Sequence, residues 1–195
     1  MRLGILGGTF DPPHTGHLVL AEQAREQLGL AKVLWVPTGE PWRKPDRPVT
    51  PGEQRAEMVA LSIEGNEAFE LSRLEIERPG PSYSVDTLEA LRELYPGDEL
   101  VFIIGGDALN DLPNWRRPER LVELATLAVA AREGHAAGEP PAGLRARVES
   151  IDMPRIDISA TELRRRATEG RSLRYLVPDT VEKYIREHGL YRSPA

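Results

Sequence analysis

The chain has 195 residues, with 25 Lys and Arg against 31 Asp and Glu, a formal net charge of −6, and no cysteine. That length suits one domain with a sizeable core, and the absent cysteines exclude disulfides, thiolate metal sites, iron–sulfur clusters and cysteine nucleophiles. The acidic balance argues against coating of nucleic acid, which needs a basic face, but an anionic small substrate can still be met by local positive charge.

Residues 2–6 form a short apolar run stopped by Gly7-Gly8, which reads as a buried strand entering a turn. Pro12-Pro13 forbid a helix there, and Leu18, Ala21, Ala24 and Leu28 then fall at helical spacing until Gly29. Residues 32–36 predict a second strand, and 38–49 a Pro-rich loop. Thr50-Pro51-Gly52-Glu53 predicts a capping box that opens a helix to about residue 63. Residues 69–71 and 74–76 look extended, and Pro79-Gly80-Pro81 breaks the chain. A helix is expected over 84–94, a strand over 100–104 ending in Gly105-Gly106-Asp107, a helix over 118–124 and a strand over 127–130. The Gly-, Pro- and Ala-rich stretch 133–143 predicts a surface loop. A last short strand at 156–158 precedes two helices, 159–167 and 179–188, each opening on a capping-box pattern (Ser159 with Glu162, Asp179 with Glu182).

Strands alternating with helices imply an α/β fold, a doubly wound, mainly parallel sheet with helices on both faces. One domain over 1–195 is expected, with a small C-terminal helical part from about 159. No stretch approaches the roughly 18 apolar residues of a membrane span, and the apolar start is too short for a secretory signal. A cytoplasmic protein with neither membrane nor nucleic-acid partner is expected, and homo-oligomerisation is left open.

In such sheets ligands bind beyond the carboxyl ends of the strands. The first such segment is Gly7-Gly8-Thr9-Phe10-Asp11-Pro12-Pro13-His14-Thr15-Gly16-His17. Its glycines let backbone approach a ligand, the following helix aims its positive end there, and two imidazoles add donors. This suits a polyphosphate, although it is neither a Walker loop nor a GxGxxG turn. Two histidines three apart also fit metal ligands or plain helix-start residues. The second segment is Ile158-Ser159-Ala160-Thr161-Glu162-Leu163-Arg164-Arg165-Arg166. It is an N-cap with a solvated basic face, or hydroxyls and a guanidinium converging on phosphate oxygens.

GGTFDPPHTGH resembles the (H/T)xGH signature of the nucleotidyltransferase superfamily, and ISATELR resembles its ISxTxxR signature. Arg78-Pro79-Gly80-Pro81-Ser82-Tyr83-Ser84-Val85-Asp86-Thr87-Leu88 and the FIIGGDAL and Pro113-Asn114-Trp115 segments narrow the resemblance to bacterial nicotinate-nucleotide adenylyltransferases, as does the Leu190-Tyr191-Arg192 ending. The resemblance implies a Rossmann-like fold. It also implies transfer of an adenylyl group from ATP to nicotinate mononucleotide, giving deamido-NAD and pyrophosphate. Mg²⁺ would be held mainly by the ATP phosphates, with no metal site made by the protein.

By the same resemblance, His17, His14 and Arg164 are the catalytic candidates. Gly8, Thr9, Phe10, His14, His17, Gly105, Asp107, Ser159, Thr161 and Arg164 fall at ATP-binding positions. Lys44, Ser84, Trp115 and Arg116 fall at mononucleotide-binding positions. Two segments depart from the family pattern: Trp42-Arg43-Lys44 stands where many members have Pro-His-Lys, and Arg116 stands where some have Tyr. Asp107 also suits a helix cap, and Trp115 a core position. Competing readings are an adenylyltransferase for another substrate, an inactive nucleotide-binding module, and a tRNA synthetase fragment. The last would need a KMSKS-like loop that the sequence lacks.

Overall fold

A computed structural model describes residues 1–42, 48–132, 140–144 and 146–192. In chain order the elements are β1 (Arg2–Gly8), α1 (Thr15–Gln27), β2 (Lys32–Pro37), β3 (Glu40–Pro41), α2 (Gly52–Ile63), β4 (Phe69–Leu71), α3 (Leu74–Glu77) and β5 (Pro81–Ser82). There follow α4 (Ser84–Leu94), β6 (Glu99–Gly105), α5 (Gly106–Asp111), a 3-10 turn (Leu112–Asn114), α6 (Pro118–Leu124), β7 (Thr126–Arg132), β8 (Val148–Met153), α7 (Ala160–Thr168) and α8 (Asp179–Glu187). Six strands make one sheet in the order β4-β2-β1-β6-β7-β8, and every neighbouring pair is parallel. The chain winds outward in one direction from β1, returns to β6 beside it, and winds outward in the other. This is the doubly wound, Rossmann-like order.

The central strands are buried on both faces, and alternation along them explains how. Leu3, Ile5, Leu34, Val36, Leu100, Phe102, Ile104, Leu127 and Val129 share one core with Val85, Leu88 and Leu91 of α4 and Leu121 and Leu124 of α6. Leu6, Val33, Trp35, Val101, Ile103 and Ala128 point the other way, against Ala21 and Ala24 of α1 and Val59 and Ile63 of α2. Neighbouring residues on a strand face opposite sides, so a strand buried on both faces reads as a continuous apolar run. A third cluster ties the C-terminal helices to the sheet domain through α2: Met58 meets Leu163, Leu173, Val177, Val181 and Ile185. Among the described residues no helix is long and apolar enough to cross a membrane.

The structure corrects several local expectations. Residues 156–158 form no strand; the last strand is β8. Among its residues only Ile151 is buried, so this edge strand carries no apolar run to betray it. Residues 74–76 belong to a single helical turn, α3, and the loop after β2 contains β3, paired in parallel with β5. The Gly105-Gly106 stop is instead a direct passage from β6 into α5. Of the three capping boxes, only Ser159 caps with its side chain, its Oγ accepting from Glu162 N at 3.2 Å. Helices α2 and α8 start after Pro51 and Pro178, one residue later than expected at α2, with no side-chain cap. The Glu182 carboxylate accepts instead from Leu173 N. Of the predicted 133–143 loop, residues 133–139 lie outside the described residues.

Candidate active site

Strands β1 and β6 lie side by side where the winding reverses, and their pairing stops early. The β1–β6 register ends at Leu6 opposite Ile103, whereas β1 stays with β2 to Gly8 opposite Pro37 and β6 stays with β7 to Gly105 opposite Ala130. The two carboxyl ends therefore part. A cleft of about 680 Å³ opens between them, lined by the β1–α1 loop on one side and by Gly105, Ala108 and Trp115 on the other. This is the switch-point crevice in which open α/β sheets hold ligands.

The β1–α1 loop forms a dense wall. Phe10 adopts a left-handed conformation, φ 49°, and its ring is buried edge-on to His17 at 5.1 Å and against Trp35 at 5.3 Å. A side chain at Gly8 would meet that ring at 3.1 Å, which accounts for the second glycine. His14 ends the loop as the residue before α1, and its ring stacks on His17 at 3.6 Å. The His14 backbone N–H donates to His17 Nδ1 at 3.2 Å, so His17 stands where Glu or Gln stands in a capping box. That bond places the proton of the neutral ring on Nε2. Burial lowers the pKa of His14 to about 4; burial, and then the neighbouring His14, lowers that of His17 to about 3. Both rings are neutral at pH 7. His17 lines the cleft, and His14 supports it from outside the lining. Gly16 keeps the helix start open, since a Cβ there would meet the His14 ring at 3.1 Å.

Arg164 reaches the same wall from α7 and lines the cleft with Ala160. Its Nη1 donates to the Asp11 carbonyl at 2.8 Å and its Nη2 to Thr161 Oγ1 at 3.0 Å. Ser159 and Thr161 are exposed and stand outside the lining, as does the exposed Asp107 in the first turn of α5. The far end of the cleft is formed by Ser84, the first residue of α4, and by Trp115. The indole is half-buried, donating through Nε1 to Asp111 Oδ2 at 3.1 Å and packing edge-on to Phe102. Arg116 turns away from the lining, pairing with Asp86 at 3.4 Å and covering the Tyr83 ring at 4.5 Å. Lys44 lies outside the described residues. Gly8, Thr9, Phe10, His17, Gly105, Ser84, Trp115 and Arg164 are thus brought together around one cleft.

Residue-type reasoning missed a buried support beneath the cleft. Arg55 on α2 is 1% exposed and donates to three loop carbonyls: Thr9 at 2.8 Å, Thr50 at 2.8 Å and Gly39 at 3.1 Å. Burial lowers its pKa, and Asp11, Tyr191 and Glu75 oppose that drop. Glu75 is itself buried, which raises its pKa, and accepts from Thr87 Oγ1 at 2.6 Å. Tyr191 donates its phenol to Asp11 Oδ1 at 2.7 Å. Arg55 did leave a trace in the sequence, because it shares one helical stripe with Met58, Val59 and Ser62, where an apolar residue is expected.

A family model described as cytidylyltransferase-like matches residues 5–166. A protein of Thermus thermophilus, described as "probable nicotinate-nucleotide adenylyltransferase", is 50% identical over 192 residues, covering 98% of this chain and 100% of that one. One of Thermomicrobium roseum with the same description is 48% identical over 198 residues, covering 98% and 92%. Among solved structures, the Plasmodium falciparum nicotinic acid mononucleotide adenylyltransferase complexed with NaAD superposes with a TM-score of 0.79 at 20% identity, over 97% of each chain. The order of the sheet, the crevice at its switch point and these full-length likenesses agree, and the chain belongs to the nicotinate-nucleotide adenylyltransferase family.

Proposed function

We propose that this chain transfers the adenylyl group of ATP to nicotinate mononucleotide, giving deamido-NAD and pyrophosphate, by direct in-line attack. The carrying observation is near-full-length identity of 48–50% to relatives of that description, in a chain whose switch-point cleft is walled by phosphate-type donors. The attacking group is a phosphate monoester whose second pKa is near 6, so it is already ionised at neutral pH. Its oxygen bonds to the α-phosphorus, the bond from that phosphorus to the bridging oxygen breaks, and pyrophosphate leaves with the electron pair. No general base is needed. Catalysis is positioning and charge neutralisation.

His17 supplies a neutral Nε2–H donor to the charge that builds at the reacting phosphorus, and His14 holds its plane. Arg164 carries a permanent charge to the β- and γ-phosphates, with Ser159, Thr161 and the N–H groups at the start of α7 beside it. The backbone of Gly8, Thr9 and Phe10 borders the phosphates, and Gly105 with Asp107 takes the adenosine ribose. Ser84, at the start of α4, and Trp115 receive the nicotinate ring and its carboxylate; the backbone of Arg116 adds a donor, and Lys44 takes the mononucleotide phosphate.

Among the described residues no group of three or more His, Asp or Glu is placed to hold a metal ion. We read the metal as a Mg²⁺ that arrives on ATP, held mainly by the phosphates and water. When bound, that ion would neutralise phosphate charge. A cytoplasmic location belongs to the same proposal.

The test offers ATP with nicotinate or nicotinamide mononucleotide and measures pyrophosphate release. A carboxylate accepts charge-assisted bonds, while a carboxamide presents N–H to N–H and leaves a buried donor unpaired. A preference for nicotinate on the order of 10²-fold in kcat/KM is expected. Equal values would reject the nicotinate assignment.

A further inference from the structure

The loop that walls the cleft is held from outside by three side chains from distant parts of the chain. Arg55 binds the Thr9 carbonyl, Arg164 binds the Asp11 carbonyl, and Tyr191 binds the Asp11 carboxylate. Arg164 also lines the cleft, and Arg55 also binds the Thr50 and Gly39 carbonyls. Tyr191 donates its phenol to Asp11 and has Thr50 as a second side-chain hydrogen-bond partner, and it does so from the last described turn of the chain.

That turn is built to deliver the phenol. Tyr191 takes a left-handed backbone, φ 61°, directly after Gly189 and Leu190, and non-glycine residues adopt this conformation only when their surroundings enforce it. Thr168 Oγ1 at the end of α7 donates to the Tyr191 carbonyl at 2.6 Å, and Leu190 N donates to the Ile185 carbonyl at 3.0 Å. The ring packs against the cluster of Met58, Leu163 and Leu173. Asp11 is 2% exposed and lines the cleft, so its carboxylate needs donors within the protein. Burial and the neighbouring Asp11 raise the phenol pKa, so the donor keeps its proton across the working range.

We propose that Tyr191 is a positioning residue for the triphosphate. Through Asp11 it fixes the β1–α1 loop and, by the Asp11 carbonyl, the direction of the Arg164 guanidinium. The chain's C-terminal turn thereby completes the active site. Arg164 itself meets substrate; Tyr191 acts through Asp11. The inference rests on the adenylyltransferase reading given above.

The experiment is Tyr191→Phe, which removes the hydroxyl and keeps the ring. Equilibrium affinity for ATP is measured by calorimetry, and steady-state constants are measured for both substrates. ATP affinity and kcat/KM for ATP should fall about tenfold, KM for nicotinate mononucleotide should stay within twofold, and the melting temperature should change by no more than a few degrees. Arg164→Lys should cost clearly less in the Tyr191→Phe background than in the wild type, because both act on one arrangement. Unchanged ATP affinity in Tyr191→Phe would overturn the proposal. So would a loss shared equally by both substrates and additive with Arg164→Lys, which marks a merely structural residue. A wild-type protein that binds ATP but releases no pyrophosphate with either mononucleotide would overturn the activity reading instead, and the ATP affinities would still decide the role of Tyr191.

Discussion

At the start of α1, His14 is buried and Thr15 is held by a segment far away in sequence. Thr15 donates its N–H to the Leu176 carbonyl at 2.9 Å and its hydroxyl to the Tyr175 carbonyl at 3.0 Å, and His14 and His17 are stacked. At the start of α7 the groups are exposed and held by near neighbours. Ser159 caps Glu162 N, and Arg165 pairs with Glu162 at 2.8 Å and with Glu169 at 2.9 Å. Both helices carry a family signature. The groups at α1 are held by ring stacking and long-range backbone bonds, and those at α7 by local, exposed pairs. Arg164 is the exception at α7, since its bond to the Asp11 carbonyl spans the two ends. The difference separates preorganised donors, which need no rearrangement during reaction, from adaptable ones that spend ordering entropy on binding.

The largest effect belongs to the preorganised end. His17→Ala should lower kcat by on the order of 10²–10³-fold with little change in ATP affinity, because a fixed donor acts chiefly in the transition state. Near-normal turnover in this variant would remove His17 from the chemistry. At the other end, Arg164→Lys replaces a two-bond fork by a point charge and should reduce kcat/KM for ATP by roughly tenfold or more. Arg165→Lys alters only exposed ion pairs and should be kinetically silent. Equal losses at 164 and 165 would reduce the basic run to a solvated face.

The buried histidines also give the first end a pH signature. Their pKa values sit near 4 and 3 in the folded protein against 6.5 when exposed, so below about pH 6.5 the unfolded chain takes up protons that the folded one refuses. Stability should therefore fall as pH drops from about 6.5 towards 4. Melting temperatures of the wild type and a His14→Gln/His17→Gln variant should show a flatter profile in the variant; parallel profiles would mean that the rings are hydrated. The smallest effect lies with Ser159→Ala. Loss of the cap should cost about 0.5–2 kcal/mol of stability by denaturant titration, with a weaker effect on ATP use than Arg164→Lys. A cost near zero would show that water already caps α7.

How much of this was legible in the sequence differs by element. The strands buried on both faces announced themselves as apolar runs, and β8 did not, because an edge strand with one buried residue has no such run. His17, Arg164, Ser84 and Trp115 were legible as motif positions. Asp107 and Arg116 were equally legible, yet Asp107 stands outside the cleft lining and Arg116 spends its charge on Asp86 and Tyr83. A motif fixes residue types and spacing, whereas rotamer and partner depend on what packs nearby.

Local pattern, then, determined by itself the alternation of strands and helices, the glycine-bearing loop after the first strand and the two helix starts that carry the signature segments. These depend on contacts within a few residues. Only the tertiary structure decided that β1 and β6 part at Leu6 and Ile103, that a buried arginine on α2 binds three loop carbonyls, and that Tyr191 reaches Asp11 from the far end of the chain. The physical reason is the same in each case. Sheet register and the pairing of buried polar groups are set by which segments meet in space, and a buried donor takes its partner from any part of the chain that supplies one.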